Sequence, residues 1–224
     1  RNLASINLLD SIGVHRAVKK LNDFGFNDIP EILSIAVGSY GISPLEYSSS
    51  YSVWPGMGLT SKSKFIKAIS DKNGKMTYFE PEKRRVLKPE QAYLMITLMQ
   101  NIVNAGTGAR ARVAGIEVAG KTGTSNDSID AWFCGYTPEI LIIVWYGNDN
   151  YKPMRHVEGG SRTAAPVFAR FLTNYLKIHP ETKRKFDMPS GVFTEKYYNS
   201  VEYYTKQSPL PEESVDINAT SVLF

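Results

Sequence analysis

Apolar residues fall at Leu3, Ile6 and Leu9, then at Val14, Val18 and Leu21. That three-and-four spacing predicts two helices with a break near Gly13. A short apolar segment, "IPEILSIAVGSY", follows, and Gly38 and Gly41 bracket a turn. In "SPLEYSSSYSVW", Ser43 is placed to cap a helix, with Pro44 at its first position and Glu46 three residues after the cap. Asn73-Gly74 sits between two short apolar runs in "SKFIKAISDKNGKMTYF" and predicts a hairpin. "KPEQAYLMITLMQNIVNAG" places Leu94, Ile96, Leu98, Met99 and Ile102 along a long helix closed by Gly106. Three strand-like segments come next: "IEVAGKTGTS", "DAWFCGYTP" and "EILIIVWYGND". Thr137-Pro138-Glu139 reads as the turn joining the last two. "SRTAAPVFARFLTNYL" predicts an amphipathic helix with Ser161 as its cap.

From His179 onward the texture changes. Prolines, tyrosines and charges mix without a period. We therefore divide the chain into a body, residues 1–178, and a tail, residues 179–224, that packs on the body or is partly disordered. Asn218-Ala219-Thr220 fits a glycosylation acceptor, a pattern common by chance.

Composition narrows the choices. Of 224 residues, 42% are hydrophobic and 21% charged, so a real core can form. The net charge of +4 is mild. The one dense basic run, residues 183–185, suits a solvated turn better than a nucleic-acid surface. A single cysteine, Cys134, excludes an internal disulfide and reads as a small buried hydrophobe. His15, His156 and His179 lie far apart, with no spacing for a metal. The aliphatic run Ile140–Val144 is far short of the roughly 20 residues that a membrane-spanning helix needs. The chain opens in mid-pattern on "RNLASINLL", without a signal peptide, and we take it for a fragment.

One segment invites two chemistries. "GIEVAGKTGT", from Gly115 to Thr124, satisfies G-x-x-x-x-G-K-[ST], and Asp149 ends a later apolar run as a magnesium-holding residue would. A phosphate loop, however, needs a buried strand before it and a helix starting at its Lys-Thr. Upstream stands "GTGARARVAG", and downstream "GTSNDSID", a poor helix start. The segment itself alternates like a strand. A strand bearing Lys-Thr-Gly suits a serine acyltransferase acting on a carboxylate-ended peptide. Lys121 supplies a fixed cation and Thr122 a hydroxyl for that carboxylate. Gly123 lets a peptide lie against the strand. The Thr124 N–H can face a developing oxyanion, and its hydroxyl can join Thr122.

The surroundings strengthen this second chemistry. "GTGARA", "AGKTGTSND", "DAWFCGYTP", "VWYGND" and "GGSRTAAPVFARFL" occur in that order and resemble the C-terminal half of class A penicillin-binding proteins. The front of the chain agrees. "RNLASINLLDSIGV" resembles the segment that begins inside the family's Ser-x-Asn motif, with Arg1 as its middle residue and Asn2 as its third. "GSYGISPLEYSSSYSVW" and "ISDKNGKMTYF" resemble the family's next helix and hairpin. The resemblance covers about residues 1–176.

It implies an α/β fold of the penicillin-binding and serine β-lactamase kind, an antiparallel sheet flanked by helices, of which this chain is the C-terminal portion. It also implies a peptidoglycan D,D-transpeptidase that is acylated by β-lactams. The parent chain would carry a glycosyltransferase domain and a membrane anchor, on the periplasmic or outer face of a bacterial cytoplasmic membrane. Implied partners are peptidoglycan stem peptides, lipid-linked precursor, β-lactam antibiotics and the upstream part of its own chain. Neither cofactor, metal nor nucleic acid is implied. Lys121 and Asn2 would serve catalysis; Thr122, Gly123 and Thr124 would hold substrate.

The nucleophilic serine, its lysine and the relay serine would all precede Arg1. Ser61-Lys62-Ser63-Lys64 matches Ser-x-x-Lys, but it leads into the hairpin and should be strand-like. There, residues three apart face opposite ways. Asp130 and Trp132 could touch substrate or only pack, and Thr107 reads as a loop-shaping residue between two glycines. A hydrolase of the same fold and a non-catalytic β-lactam-binding scaffold stand as alternatives. We expect the isolated 224 residues not to fold cooperatively, because the sheet would keep an exposed edge and an uncovered face. A single cooperative thermal transition of that piece would contradict this.

Overall fold

Gly13 divides the first two helices as the spacing predicts. Helix α1 (Asn2–Ile12) and α2 (Val14–Phe24) meet at this residue, whose φ of +90° few L side chains adopt. The computed structural model describes residues 2–155, 158–197 and 200–210. A 3-10 turn at Leu33–Val37 leads to α3 (Pro44–Tyr51). The Ser43 hydroxyl accepts from the Glu46 N–H at 3.2 Å, and the Glu46 carboxylate accepts from the Ser43 N–H at 3.2 Å. The expected capping box is therefore closed in both directions.

Four short strands follow: β1 (Leu59–Ser61), β2 (Ala68–Ser70), β3 (Met76–Tyr78) and β4 (Lys83–Arg85). β2 and β3 form the expected hairpin. The Asp71 carboxylate secures its turn by accepting from the N–H groups of Asn73 and Lys75, at 2.8 and 2.9 Å. β1 pairs with β4 across that hairpin, a contact no local pattern announces. Helix α4 (Pro89–Ala105) runs as far as Gly106, as expected.

The central sheet is antiparallel, in the order β5 (Ala119–Thr124), β6 (Asp130–Tyr136), β7 (Leu141–Gly147). Thr137 closes the last turn. Its N–H donates to the Ile140 carbonyl at 2.9 Å, and its hydroxyl accepts from the Ile140 N–H at 3.2 Å.

Alternation along β6 sends side chains to two cores. Phe133 meets Phe168 and Leu172 of α5 (Ala165–Ile178), together with Val103 of α4 and Val118. On the opposite face Cys134 and Tyr136 join Ala119, Tyr51 of α3, and Tyr93 and Ile96 of α4. The chain is thus α/β, with helices on both faces of an antiparallel sheet. Among the described residues no helix is long and apolar enough to cross a membrane.

One local expectation fails. Ser161 caps nothing, because Gly160–Ala164 form a π turn ahead of α5, and no side-chain cap bond precedes it. The wider turn brings the Thr163 hydroxyl, not that of Ser161, to the N–H of Gly159, at 3.4 Å.

The described residues after His179, as far as residue 210, pack in part on the body. Phe186 and Val192 are buried in the second core. The N–H of Phe186 donates to the Glu117 carboxylate at 2.9 Å, and Glu117 donates its own N–H to the Arg184 carbonyl at 2.9 Å. Strands β8 (Phe193–Tyr197) and β9 (Ser200–Tyr204) form a last antiparallel pair, and Tyr203 sits edge-on to Tyr93. Arg1, His156 and the Asn218 acceptor pattern lie outside the described residues.

Phe168 is fully buried, and its ring meets that of Phe133 edge-to-face at 4.9 Å. Truncating such a ring removes its burial and leaves a cavity. We expect Phe168→Ala to destabilise the domain by about 3–5 kcal/mol. Denaturant unfolding of the full-length protein, followed through this domain's transition, checks it; a loss below about 1 kcal/mol would mean that the Phe133 face of β6 is not a core.

Candidate active site

β5 uses one edge only. β6 pairs with it from Ala119 to Thr124, and no strand among the described residues pairs with the other edge. Lys121 stands opposite Cys134 and Gly123 opposite Trp132. Lys121 and Gly123 therefore share the face that carries Cys134 and Trp132, while Thr122 and Thr124 point to the other face. A side chain on Gly123 would press its Cβ to 3.2 Å from that of Trp132. Glycine keeps this surface low.

The two threonines are each held from outside the strand. The Thr122 Oγ1 lies 2.8 Å from the Thr107 Oγ1, a hydrogen bond in which either can donate. The Thr124 Oγ1 accepts from the N–H of Gly160 at 3.1 Å. That bond needs a close crossing. A Cβ on Gly160 would stand 2.3 Å from the Trp132 carbonyl oxygen and 2.6 Å from that of Gly123. The π turn can rest on β5 and β6 only because residue 160 has no side chain.

Lys121 donates to the carbonyl of Thr122 at 2.7 Å. Partial burial lowers its pKa from the ordinary lysine value, and the neighbouring Cys134 acts weakly the other way. Burial pushes the Cys134 thiol up to about 12, with Lys121 the smaller, opposing influence. Cys134 is thus an un-ionised packing residue, as its apolar setting suggested. Behind it the rings of Tyr47 and Tyr51 stack at 5.1 Å, and Tyr47 meets Trp132 at 6.2 Å. Burial also raises the pKa of both tyrosines, so this wall is neutral.

Several alternatives lose their geometry. Lys121 and Thr122 lie inside a strand, and a loop with a short 3-10 turn follows Thr124, so no helix start exists to hold phosphate. The Ser61 hydroxyl donates to the Lys62 carbonyl at 3.3 Å and Lys64 to the Glu80 carbonyl at 2.7 Å; the two are not bonded to each other. Asp130 accepts from the Trp145 indole N–H at 2.8 Å.

Lys121, Thr122, Gly123 and Thr124 are thus brought together on one open strand. Asn2 sits exposed in the first turn of α1, with no side-chain hydrogen bond to β5 among the described residues. Thr107 and Gly160 escaped sequence reasoning as partners of the strand. The only signal was their glycine-rich settings, "AGTGA" and "EGGSR".

A family model, the penicillin binding protein transpeptidase domain, matches residues 10–173. The chain belongs to this family. Penicillin-binding protein 1A of Neisseria meningitidis is 32% identical over 231 residues, covering 99% of this chain and 28% of that protein. The penicillin-binding protein 1A of Aquifex aeolicus is 33% identical over 189 residues, covering 84% of this chain and 26% of that one. The chain therefore spans less than a third of these relatives. The crystal structure of penicillin-binding protein 1A from Haemophilus influenzae superposes with a TM-score of 0.83 at 20% identity, over 95% of this chain and 39% of that one. At that identity it is the transpeptidase fold that is shared.

In this transpeptidase domain the π turn is a steric key. We expect Gly160→Ala to destabilise the domain by about 1–3 kcal/mol, the usual cost of forcing atoms into a packed contact. It should also loosen the Thr124 hydroxyl. Thermal unfolding with amide exchange at Thr124 and Gly123 reads both. Unchanged stability and protection would mean that the crossing is slack.

Proposed function

We propose that the protein carrying this chain is a D,D-transpeptidase of peptidoglycan, with a glycosyltransferase domain and a membrane anchor elsewhere in the parent chain. It acts at the periplasmic or outer face of a bacterial membrane. The observation that carries the reading is the open edge of β5, where one cation, a bare glycine and two hydroxyls follow one another from Lys121 to Thr124. An extended peptide ending in a carboxylate fits such an edge.

In this mechanism a serine outside these 224 residues attacks the D-Ala-D-Ala carbonyl. Its oxygen–carbon bond forms, the amide C–N bond breaks, and D-Ala leaves with the proton on its amine. An amine of a neighbouring stem then attacks the ester, forms the cross-link and returns the serine. The Thr122 and Thr124 hydroxyls, which share one face of β5, hold the terminal carboxylate, and Lys121, whose stem leaves from the other face, supplies positive charge at the same strand. The Thr124 N–H stabilises the oxyanion as it develops. Asn2 holds the substrate amide from the opposite wall. A β-lactam presents the same carboxylate and acylates the same serine. A Mycobacterium tuberculosis penicillin-binding protein 3 of this fold was crystallised in complex with aztreonam, with a TM-score of 0.69 at 20% identity over 80% of this chain and 50% of that one. That complex supports extending β-lactam binding to this chain.

The test is acylation of the full-length protein by a penicillin, read by intact mass after denaturation. The adduct should map upstream of Arg1. An adduct on Ser61 would overturn the assignment. Lys121→Ala should slow acylation about ten- to a hundredfold, the range for losing a hydrogen bond to a charged group.

The pH profile adds a sign. Burial lowers the pKa of Lys121, so its charge is lost at a lower pH than that of an ordinary lysine. Acylation by a carboxylate ligand should fall as pH rises through that value, and Lys121→Arg should move the alkaline limb upward. Stability runs the opposite way. The folded state disfavours the charged form, so this penalty is present at neutral pH and is relieved as pH rises through the lowered pKa towards the unfolded one. An alkaline limb unmoved in Lys121→Arg would assign the titration to another group.

A further inference from the structure

Thr107 lies 15 positions before Thr122, outside the strand, and its side chain is exposed. Its loop is nonetheless rigidly specified. The N–H groups of Gly106 and Gly108 both donate to the Ile102 carbonyl at the end of α4, each at 3.0 Å. A Cβ on Gly106 would come within 2.9 Å of that oxygen, and one on Gly108 within 3.2 Å. Two glycines thus wrap the chain over one carbonyl and present Thr107 between them. Among the described residues the Thr107 hydroxyl makes one bond, the 2.8 Å contact with Thr122.

A threonine hydroxyl has one proton to give and room to accept. An ionised carboxylate only accepts. If Thr107 donates to Thr122, the Thr122 proton is freed for an outside acceptor and polarised toward it. Thr124 is arranged the same way by a different group, since it already accepts from Gly160 and keeps its proton for outward use. Both hydroxyls, which share one face of β5, then become donors, which is the pattern an anion needs and a neutral ester does not repay.

We infer that Thr107 is a positioning residue for the carboxylate subsite: it sets the Thr122 hydroxyl as a donor to the ligand's carboxylate and so helps the site select acids over neutral analogues. The inference rests on the assignment of β5 as the carboxylate-binding strand.

The test compares two probes on one preparation of the full-length protein, a fluorescent penicillin and its carboxylate methyl ester. The ratio of their acylation rates cancels any difference in the fraction of folded protein. Thr107→Val should lower the acid rate roughly tenfold, as expected for one hydrogen bond to a charged group, and leave the ester rate unchanged. Thr107→Ser should restore the ratio to within about twofold. In a Thr122→Val background, Thr107→Val should cost nothing further, because its effect passes through that hydroxyl. Should Thr107→Val not fold, Thr107→Ala removes the same hydroxyl from an exposed position with no added bulk.

Equal losses for acid and ester, or additive losses in the double variant, would make Thr107 a loop-building residue and overturn the inference alone. If Thr122→Val itself leaves the acid-to-ester ratio untouched, the carboxylate assignment of β5 falls, and this inference falls with it.

Discussion

The site depends on a strand that must be held firmly along one edge and left open along the other. β6 makes this possible. Its Ala131, Phe133, Cys134 and Tyr136 are buried, and Phe133 and Tyr136 anchor opposite faces of the sheet. A strand fixed on both faces has little freedom to slide, because a shift of one residue would exchange its two faces. β5 inherits that register through six paired positions, from Ala119 to Thr124. An open edge is otherwise a template for unwanted pairing. Here a lysine, two hydroxyls already engaged and two glycines make it a poor template for another apolar strand.

The hydroxyl partners extend the same logic. Lys121 provides charge without direction, since an ammonium is a point donor on a flexible stem. In the proposed carboxylate subsite direction comes from Thr122 and Thr124, each tied to a different part of the fold, one through the loop closing α4 and the other through the π turn opening α5. The helices that cover the sheet's faces thus also set the polar edge. On the proposed function, packing and ligand geometry are coupled through Gly106 and Gly160, where the backbone passes too closely for a side chain.

Legibility followed the range of the interaction. The break at Gly13, the capping box at Ser43 and the hairpin at Asn73-Gly74 were readable because each is decided within a few residues. The strand character of Lys121-Thr122 was readable because the flanking residues cannot begin a helix. The pairing of β1 with β4, the Thr107–Thr122 bond and the Gly160–Thr124 bond were not, because they join segments that only the folded chain brings together. Ser161 misled because a serine before an amphipathic run looks like a cap, and a π turn has no sequence period to betray it. In the tail, alternation within β8 and β9 is blurred by charges and exposed aromatics, although Phe186 and Val192 are core residues.

Thr107 shows why one kind of residue resists sequence reading most. A residue that binds a ligand carries a chemistry that can be named from its side chain. A residue that aims another carries none of its own, and its importance lies in which atom it leaves free. Thr107 looked like loop filler because its side chain is small, exposed and set between glycines. Those same features let one hydroxyl be delivered to a fixed point at little cost to the fold. Fixing the loop through backbone bonds to Ile102 leaves the side chain of residue 107 free of structural duty. The hydroxyl is then available to orient Thr122 at the edge of a strand whose register β6 has already set.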